Sequence, residues 1–284
     1  MTFKGIKLVH LYLSTIEYAD DQMLFTLTPA GLQEMLTFLA DRALPFGLRL
    51  APQKCELICF HRPGTVDKNV LPQVSLGDQV LPWKSSVTYL GSLFAEDGNT
   101  LSTVRHRICC AESIVKRLNT RVFRRRAITN VLKGKFISSA VFASLLYGLQ
   151  YCAFGKREQR CLDGYFLHLA KRVMHLPHDP HLSYVDAEDI LGVLRPSGQL
   201  MRERLRGTGH VLRSDDAVLY EVLTFIPEGG ARGRGRPRRR LYDTIKADLA
   251  ARNVMIAARD QENVWPALAT MAADRDGWRQ TVAT

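Results

Sequence analysis

The spacing of hydrophobic residues at the start of the chain predicts a pair of short strands. Residues 8–17 alternate in part between apolar and polar types, and residues 23–27 form a second apolar run. The short polar break between them holds Ala19, Asp20 and Asp21. Two strands joined by a tight turn is the arrangement that this pattern favours.

A helix is predicted to follow this hairpin. Thr28 is a suitable N-cap and Pro29 suits the first helical position, while Pro45 and Gly47 would end the helix. The apolar residues that share one face at helical spacing are Leu32, Met35, Leu36, Leu39, Ala40 and Ala43.

Short strands are predicted again further along, at residues 54–60 and within residues 74–94, where Gly77 and Asp78 form a turn. A polar loop containing Gly64 separates these two segments. The first ~95 residues therefore have α+β character.

The rest of the chain is predicted to be helical. A narrow apolar seam recurs at intervals of three and four residues and comprises Leu101, Val104, Ile108, Ala111, Val115, Leu118 and Val122. Basic residues lie off this seam, namely Arg105, Arg107, Lys116, Arg117 and Arg121. Such a seam usually only packs on a neighbouring helix. Further helices are predicted at residues 128–151, 162–176, 184–192, 197–213 and 238–252.

Charge is divided unevenly along the chain of 284 residues, whose formal net charge is +11. Residues 1–100 hold 8 Lys/Arg and 10 Asp/Glu, which gives −2, and the remaining residues hold 31 and 18, which gives +13. A basic surface attracts phosphate backbones or anionic membranes, and nucleic acid is the favoured partner because we see no strongly amphipathic membrane helix. The alternative is a basic surface that serves only solubility.

The sequence indicates neither a membrane span nor a signal peptide, since no apolar run reaches the ~20 residues that cross a bilayer. The six cysteines are scattered without a CxxC spacing, so we expect no disulfide framework and a reducing compartment. A zinc site can be drawn from Cys152, Cys161, His168 and His175, but its spacing matches no common finger. Helix packing is the interpretation that we favour for those four residues.

The segment Tyr18-Ala19-Asp20-Asp21 is the sharpest chemical signal. Two adjacent carboxylates at the tip of a hairpin repel each other unless a cation balances them. Magnesium binds carboxylate and phosphate oxygens and serves in two-metal phosphoryl transfer. For an isolated pair the alternative, an ordinary solvated Asp-Asp turn, would be preferred.

The surroundings of this box resemble the palm of reverse transcriptases. The stretch from Gly47-Leu48 to Lys54 resembles the next palm motif, and Tyr89-Leu90-Gly91 resembles the motif that grips the primer end. The three motifs occur in family order at family-like spacing. The resemblance implies that Asp20 and Asp21 bind Mg²⁺, that Lys54 donates a proton to pyrophosphate, and that Gly91 serves a turn near the primer. A surface lysine at the start of a strand is the alternative for Lys54.

Three later segments resemble retrotransposon enzymes without long terminal repeats: Leu145-Leu146-Tyr147-Gly148, Gly209-His210-Val211-Leu212-Arg213, and Arg234-Gly235-Arg236-Pro237-Arg238-Arg239. The sequence departs from the family at Glu17 and Gln22, which flank the box where apolar residues are usual, and at Thr208, where the family favours a bulky apolar residue. The resemblance implies an RNA template, a DNA primer or target and a nucleotide substrate. The expected place of action is the nucleus or the cytoplasm rather than outside the cell, and the resemblance favours the nucleus.

Two dense arginine clusters are predicted to contact nucleic-acid phosphates. One is Arg124, Arg125 and Arg126; the other lies in a Gly/Arg linker at residues 229–240 and comprises Arg232, Arg234, Arg236, Arg238, Arg239 and Arg240. Arginine suits this task because its planar fork pairs bidentately with phosphate oxygens. For the second cluster, a nuclear-import signal or a solvated linker is the alternative.

The expected organisation is a partial palm at residues 1–95, a thumb-like helical region at residues 96–155 and a basic helical region at residues 156–284. In the family, the fingers and another metal-binding aspartate precede the box. We therefore expect a truncated RNA-directed DNA polymerase that is inactive alone and uses nucleotide only when the missing palm is supplied. The alternatives are a non-catalytic nucleic-acid-binding remnant and a decayed copy without function.

Overall fold

The computed structural model describes residues 6–7, 12–61, 66–67, 70–176, 181–225, 239–254 and 264–283. These residues form two compact units. The first covers the described residues up to Asn99, and the second covers Thr100–Thr224 together with the described residues from Arg239 onward. Strands lie in the first unit and helices dominate the second, so the predicted α+β class is confirmed.

The first unit contains one helix and, among its described residues, ten short strands. The helix is α1 (Pro29–Ala43). The strands are β1 (Ile6–Lys7), β2 (Tyr12–Leu13), β3 (Thr15–Tyr18), β4 (Asp21–Leu24), β5 (Leu57–Ile58), β6 (Ser75–Leu76), β7 (Gln79–Val80), β8 (Trp83–Lys84), β9 (Ser86–Tyr89) and β10 (Ser92–Ala95).

The strands form five separate pairs rather than one antiparallel sheet. Four pairs are antiparallel hairpins of consecutive strands, whereas β5 pairs with β8 in parallel. The strand predicted at residues 54–60 is shorter than expected, because Pro52–Lys54 form a 3₁₀ turn and only Leu57–Ile58 pair. The backbone N–H groups of Lys54 and Cys55 donate to the carbonyls of Ala51 and Pro52, at 2.9 and 3.1 Å, so these residues belong to the turn and not to the strand.

Helix α1 begins and ends where the sequence predicts. The hydroxyl of Thr28 accepts a hydrogen bond from the backbone N–H of Gly31 at 3.1 Å, and Pro29 occupies the first turn. A 3₁₀ turn (Leu44–Phe46) follows α1, and Gly47 ends it with a φ of 73°. Only glycine adopts this left-handed conformation without steric cost.

The core of the first unit is small. Its buried apolar residues are Leu36, Leu57, Val74, Leu76 and Leu81. The side chain of Gln33 ties α1 to β6, since its amide exchanges two hydrogen bonds with the backbone of Ser75, at 2.8 and 2.9 Å. Many other apolar side chains of this unit stay exposed, including Tyr12, Leu27, Phe46 and Leu48. The first unit therefore presents apolar surface that its own described residues do not cover.

The described residues of the second unit form helices joined by turns and loops. The helices are α2 (Thr100–Leu118), α3 (Asn130–Phe136), α4 (Ala143–Leu145), α5 (Lys156–Val173), α6 (Tyr184–Leu191), α7 (Pro196–Leu212), α8 (Ala217–Thr224), α9 (Leu241–Ala251), α10 (Trp265–Ala273) and α11 (Arg275–Ala283). Wide π-helical turns at Asn119–Phe123 and Ile137–Phe142 interrupt the predicted long helices. No described helix is long and apolar enough to span a bilayer.

Two apolar cores hold the second unit together. The first core runs from Val104 to Leu200, so residues on both sides of position 155 share it. The second runs from Leu205 to Val282 and joins α7 to α9, α10 and α11. The predicted apolar seam of α2 faces the first core as expected.

Arg107 lies off the apolar seam of α2, as predicted, yet it is buried. It is only 6% exposed, and its guanidinium lies 4.6 Å from the ring centroid of Tyr147. A cation that stacks on an aromatic face gains electrostatic attraction, which offsets part of its desolvation. Tyr147 belongs to the Leu-Leu-Tyr-Gly segment that the sequence analysis singled out. Its ring packs against the guanidinium of Arg107.

Polar groups also link the helices of the first core. The guanidinium of Arg172 donates to both carboxylate oxygens of Glu112, at 2.8 and 3.1 Å, and the hydroxyl of Tyr165 donates to the same carboxylate at 3.1 Å. Lys133 is 2% exposed, and its ammonium donates to the carbonyl of Val173 at the end of α5, at 3.1 Å. A cation is favourable at the carboxyl end of a helix.

Helices α3 and α6 meet at Gly134, which gives a test of the packing. A Cβ at this position would lie 1.8 Å from the carbonyl oxygen of Leu191. We predict that Gly134→Ala lowers the free energy of unfolding by about 1–3 kcal/mol, because the helices must separate. The measurement is urea denaturation followed by circular dichroism.

Gly164 provides the matched control for that substitution. It lies inside α5, and a Cβ there would meet no described atom within 4 Å. Gly164→Ala should raise the free energy of unfolding by about 0.5–1 kcal/mol, since alanine favours helix. Equal effects of the two substitutions would contradict a close approach of α3 and α6.

Candidate metal and nucleic-acid sites

The hairpin of β3 and β4 carries the two predicted metal-binding aspartates. Its register pairs Thr15 with Leu24 and Tyr18 with Asp21, so only Ala19 and Asp20 form the loop. Ala19 has a φ of 53°, and Asp20 is not among the residues with positive φ. Positive φ at the first loop position alone is the pattern of a type II′ turn.

Ala19 is strained in this turn. Glycine is the usual residue where φ is positive, and a residue with a Cβ pays about 1–2 kcal/mol there. Strained backbone is concentrated at functional sites, where the surrounding structure maintains it. The tight turn fixes where Asp20 and Asp21 leave the backbone, and both residues are exposed.

The two faces of this hairpin differ in composition. Successive residues of a strand point to opposite faces, so Asp21 shares a face with its partner Tyr18 and with Ile16 and Met23. Glu17 pairs with Gln22 on the other face. The carboxylate of Glu17 therefore lies on the opposite side of the hairpin from Asp21 and does not crowd it.

The donor set of the hairpin fits part of a magnesium site. Mg²⁺ is usually held by one or two carboxylates, with waters and substrate phosphates completing its octahedron. Asp20 and Asp21 supply two such carboxylates next to each other. No cluster of three metal-binding side chains occurs within the described residues, so the remaining ligands must come from other oxygens.

Lys54 ends the 3₁₀ turn before β5, and its side chain is exposed. The structure gives it no hydrogen bond or ion pair with Asp20 or Asp21. Its role as a proton donor stays a prediction.

Gly91 lies in a second two-residue hairpin loop. β9 and β10 pair Tyr89 with Ser92, which leaves Leu90 and Gly91 in the loop with φ values of 45° and 75°. Positive φ at both positions is the pattern of a type I′ turn, which favours glycine. The hydroxyl of Tyr89 donates to the carbonyl of Ile16 at 3.4 Å, so this hairpin contacts the strand that leads to the aspartates.

The first arginine cluster is exposed in the second unit. Arg124, Arg125 and Arg126 follow the π-helical turn at the end of α2, and all three side chains face solvent. Desolvation lowers the pKa of His175, and the charges of Lys133, Arg126 and Arg124 lower it further. The exposed Arg124 and Arg126 therefore lie near His175, with the buried Lys133 beneath the same region.

The second arginine cluster is described only at its end. Arg232, Arg234, Arg236 and Arg238 lie outside the described residues. Arg239 is exposed beside the start of α9, and the backbone N–H of Arg240 donates to the carboxylate of Asp243 at 2.9 Å. Asp243 thus caps α9, which explains its place shortly after the basic segment.

Sequence reasoning missed a set of basic residues on α7 and α11. A groove with a volume of about 1040 Å³ is lined by several residues from these two helices. Its basic lining residues are Arg202, Arg206, His210, Arg213, Arg275 and Arg279. The signal was present in the spacing of the α7 residues, which recur at intervals of four, four and three and so share one helix face.

Comparison with known proteins identifies no relative. The sequence matches no protein-family model, and a search among curated proteins gives no significant match.

The strain at Ala19 can be tested by a glycine substitution, which should stabilise the hairpin although glycine usually destabilises a protein. We predict that Ala19→Gly stabilises the hairpin by about 0.5–1 kcal/mol, because relief of about 1–2 kcal/mol of strain exceeds the entropy cost of glycine. Amide hydrogen exchange at Ile16 and Met23 measures this stability. Ala30→Gly, in the first turn of α1, should instead destabilise the protein, and stabilisation by neither glycine would argue against a positive φ at Ala19.

Proposed function

We propose that the first unit contributes the metal-binding hairpin of an RNA-directed DNA polymerase of the reverse-transcriptase type. The observation that carries the proposal is the strained two-residue turn that places Asp20 and Asp21 at an exposed tip. The contact between Tyr89 and β3 adds support, because it joins the hairpin of the third family-like motif to that of the first. The proposed partners are an RNA template, a DNA primer and a deoxynucleoside triphosphate, and the proposed place of action is the nucleus.

The proposed reaction is nucleotidyl transfer. The 3′-hydroxyl oxygen of the primer forms a bond to the α-phosphorus of the nucleotide while the bond to pyrophosphate breaks. The hydroxyl proton passes from the attacking oxygen to solvent water, and pyrophosphate gains a different proton as it departs. Lys54 is the proposed donor of that proton, since an exposed ammonium near a departing phosphate can both neutralise it and protonate it.

Asp20 and Asp21 are the residues that would hold magnesium. When bound, the metal neutralises phosphate charge and orients the attacking and leaving oxygens. Asp20 and Asp21 would hold it from consecutive positions at the end of the two-residue turn. Asparagine at either position would keep the shape but lose a negative charge.

The exposed apolar face of the hairpin supports a palm that a further strand completes. Tyr18 is 65% exposed and Ile16 is 40% exposed, and both share the face of Asp21. An isolated two-stranded hairpin is marginally stable in water, and an open strand edge with apolar neighbours favours pairing. A strand that carries another aspartate would both cover this face and add a metal ligand.

A second candidate function is nucleic-acid binding without catalysis. The observation that favours it is the exposed cluster of Arg124, Arg125 and Arg126, close to Lys133 and His175. Arginines of this kind bind phosphates without regard to sequence. This function needs neither the hairpin nor a metal.

Manganese binding distinguishes the two functions, because Mn²⁺ replaces Mg²⁺ at carboxylate sites and broadens nearby amide signals. We predict selective broadening of Ala19 and Gln22 when Mn²⁺ is added to the full chain. Asp20→Asn should weaken binding about ten- to a hundredfold, since even loss of an outer-sphere partner costs that much.

Asp215→Asn is the matched control, because Asp215 and Asp216 form another exposed pair of adjacent aspartates. It should leave the broadening at Ala19 and Gln22 unchanged. Broadening that is equally strong in the Asp20→Asn variant would remove the metal role and leave non-catalytic nucleic-acid binding as the function.

A further inference from the structure

The groove between α7 and α11 carries a high density of positive charge. Arg202, Arg206, His210 and Arg213 line it from α7, while Arg275 and Arg279 line it from α11. Among its lining residues, Glu203 is the one with a carboxylate side chain, and one of its oxygens accepts a hydrogen bond from Gln199 at 3.1 Å. Asp276, outside the lining, pairs with Arg279 at 3.1 Å. Glu203 and Asp276 therefore balance only part of the positive charge of the groove.

Close packing fixes the two walls of the groove relative to each other. The indole of Trp278, on α11, donates to the carbonyl of Leu205 at 3.0 Å. A Cβ at Gly209 would lie 2.1 Å from the indole nitrogen, so glycine is required for this approach. Arg202 and Arg213 donate to the backbone carbonyls of Ala283 and Ala272, at 2.8 and 2.9 Å. The two walls of the groove are therefore preformed, and two of its arginines, Arg202 and Arg213, are held in place.

Positive charge is also concentrated beside the groove, where Arg252 lies near Arg202. Burial lowers the pKa of Arg252, and the charge of Arg202 lowers it further. The Nε atoms of both residues are buried and have no hydrogen-bond acceptor within the described part of the chain. Asp248, whose charge acts in the opposite direction on the pKa of Arg252, is already paired with the buried guanidinium of Arg204. A bound anion would relieve this excess of positive charge.

We propose that this groove binds the phosphate backbone of a nucleic acid. From Arg202 to Arg213 the basic residues of α7 extend over about 16 Å at 1.5 Å per residue. Several phosphates of one strand fit along that length, since they are spaced by about 3.4 Å along a duplex. A row of cations along a helix suits a linear polyanion better than a single small anion. The inference goes beyond the proposed polymerase chemistry, because none of the hairpin residues lines the groove.

Arg206 and Arg275 are the residues to change, since one lies on each wall and both are exposed. The full chain binds a labelled oligothymidine of twenty nucleotides, and the dissociation constant is measured at several salt concentrations. The double variant Arg206→Gln, Arg275→Gln should bind about tenfold more weakly at 0.1 M salt. The slope of log affinity against log salt should become shallower by about 1.4, at about 0.7 for each lost contact with a single strand.

Arg105→Gln combined with Arg117→Gln removes the same charge from exposed positions on α2 and is the matched control. It should leave the salt slope unchanged. Arg206→Lys with Arg275→Lys should keep most of the slope, because lysine retains the charge. If the double glutamine variant does not fold, Arg206→Gln alone should still lower the slope by about 0.7.

Two results would overturn the inference. One is an equal loss of oligonucleotide affinity in the groove variant and in the α2 control. The other is binding to phosphatidylserine vesicles that depends on Arg206 and Arg275 while oligonucleotide binding does not, which would assign the groove to a membrane surface. Asp20→Asn should leave oligonucleotide binding intact, so the failure of the hairpin proposal and the failure of this inference are distinguishable.

Discussion

Backbone geometry that sets like-charged side chains side by side is the constraint on which the functional surfaces of both units depend. In the first unit, a two-residue turn with a strained Ala19 keeps Asp20 and Asp21 adjacent. In the second unit, packing of α7 against α11 lines a groove with arginines. A ligand of opposite charge would be attracted to each arrangement. A divalent cation and a phosphate backbone are ligands that nucleotidyl transfer brings together.

The packing that holds α7 in place relies on a few positions where its backbone comes close to a side chain of another element. Gly209 admits the indole of Trp278, and Gly207 admits the hydroxyl of Tyr151, which would lie 2.5 Å from an added Cβ. Between these glycines Thr208 is fully buried, and its hydroxyl has no hydrogen-bond partner in the described part of the chain. An apolar residue at 208 would suit this site, as the family pattern suggests.

Much of the local structure could be predicted from the sequence, because it depends on neighbouring residues. The hairpin turn at Ala19–Asp20, the cap at Thr28, the stop at Gly47 and the apolar seam of α2 follow from short-range spacing and residue type. The α9 helix and most of α7 also lie where their periodicity placed them. Helices α8, α10 and α11 were missed, since they are short and packing against α7 determines them.

Long-range burial could not be predicted, because it depends on which residues of distant elements meet. Arg107 and Lys133 are charged residues of a kind that usually lies at the surface, yet both are buried. Arg107 stacks on the ring of Tyr147, and Lys133 donates to a carbonyl at the end of α5. The basic groove could not be predicted for the same reason, since two of its basic lining residues, Arg275 and Arg279, lie on another helix.

Primer extension on an RNA template tests the central claim most directly. The chain is joined to a palm segment that supplies an additional aspartate-bearing strand, and incorporation of deoxynucleotide is measured with magnesium. The account predicts template-dependent extension that Asp20→Asn abolishes and that Asp215→Asn leaves intact. Extension at an unchanged rate in the Asp20→Asn variant, or template-dependent extension by the chain without the added strand, would contradict it.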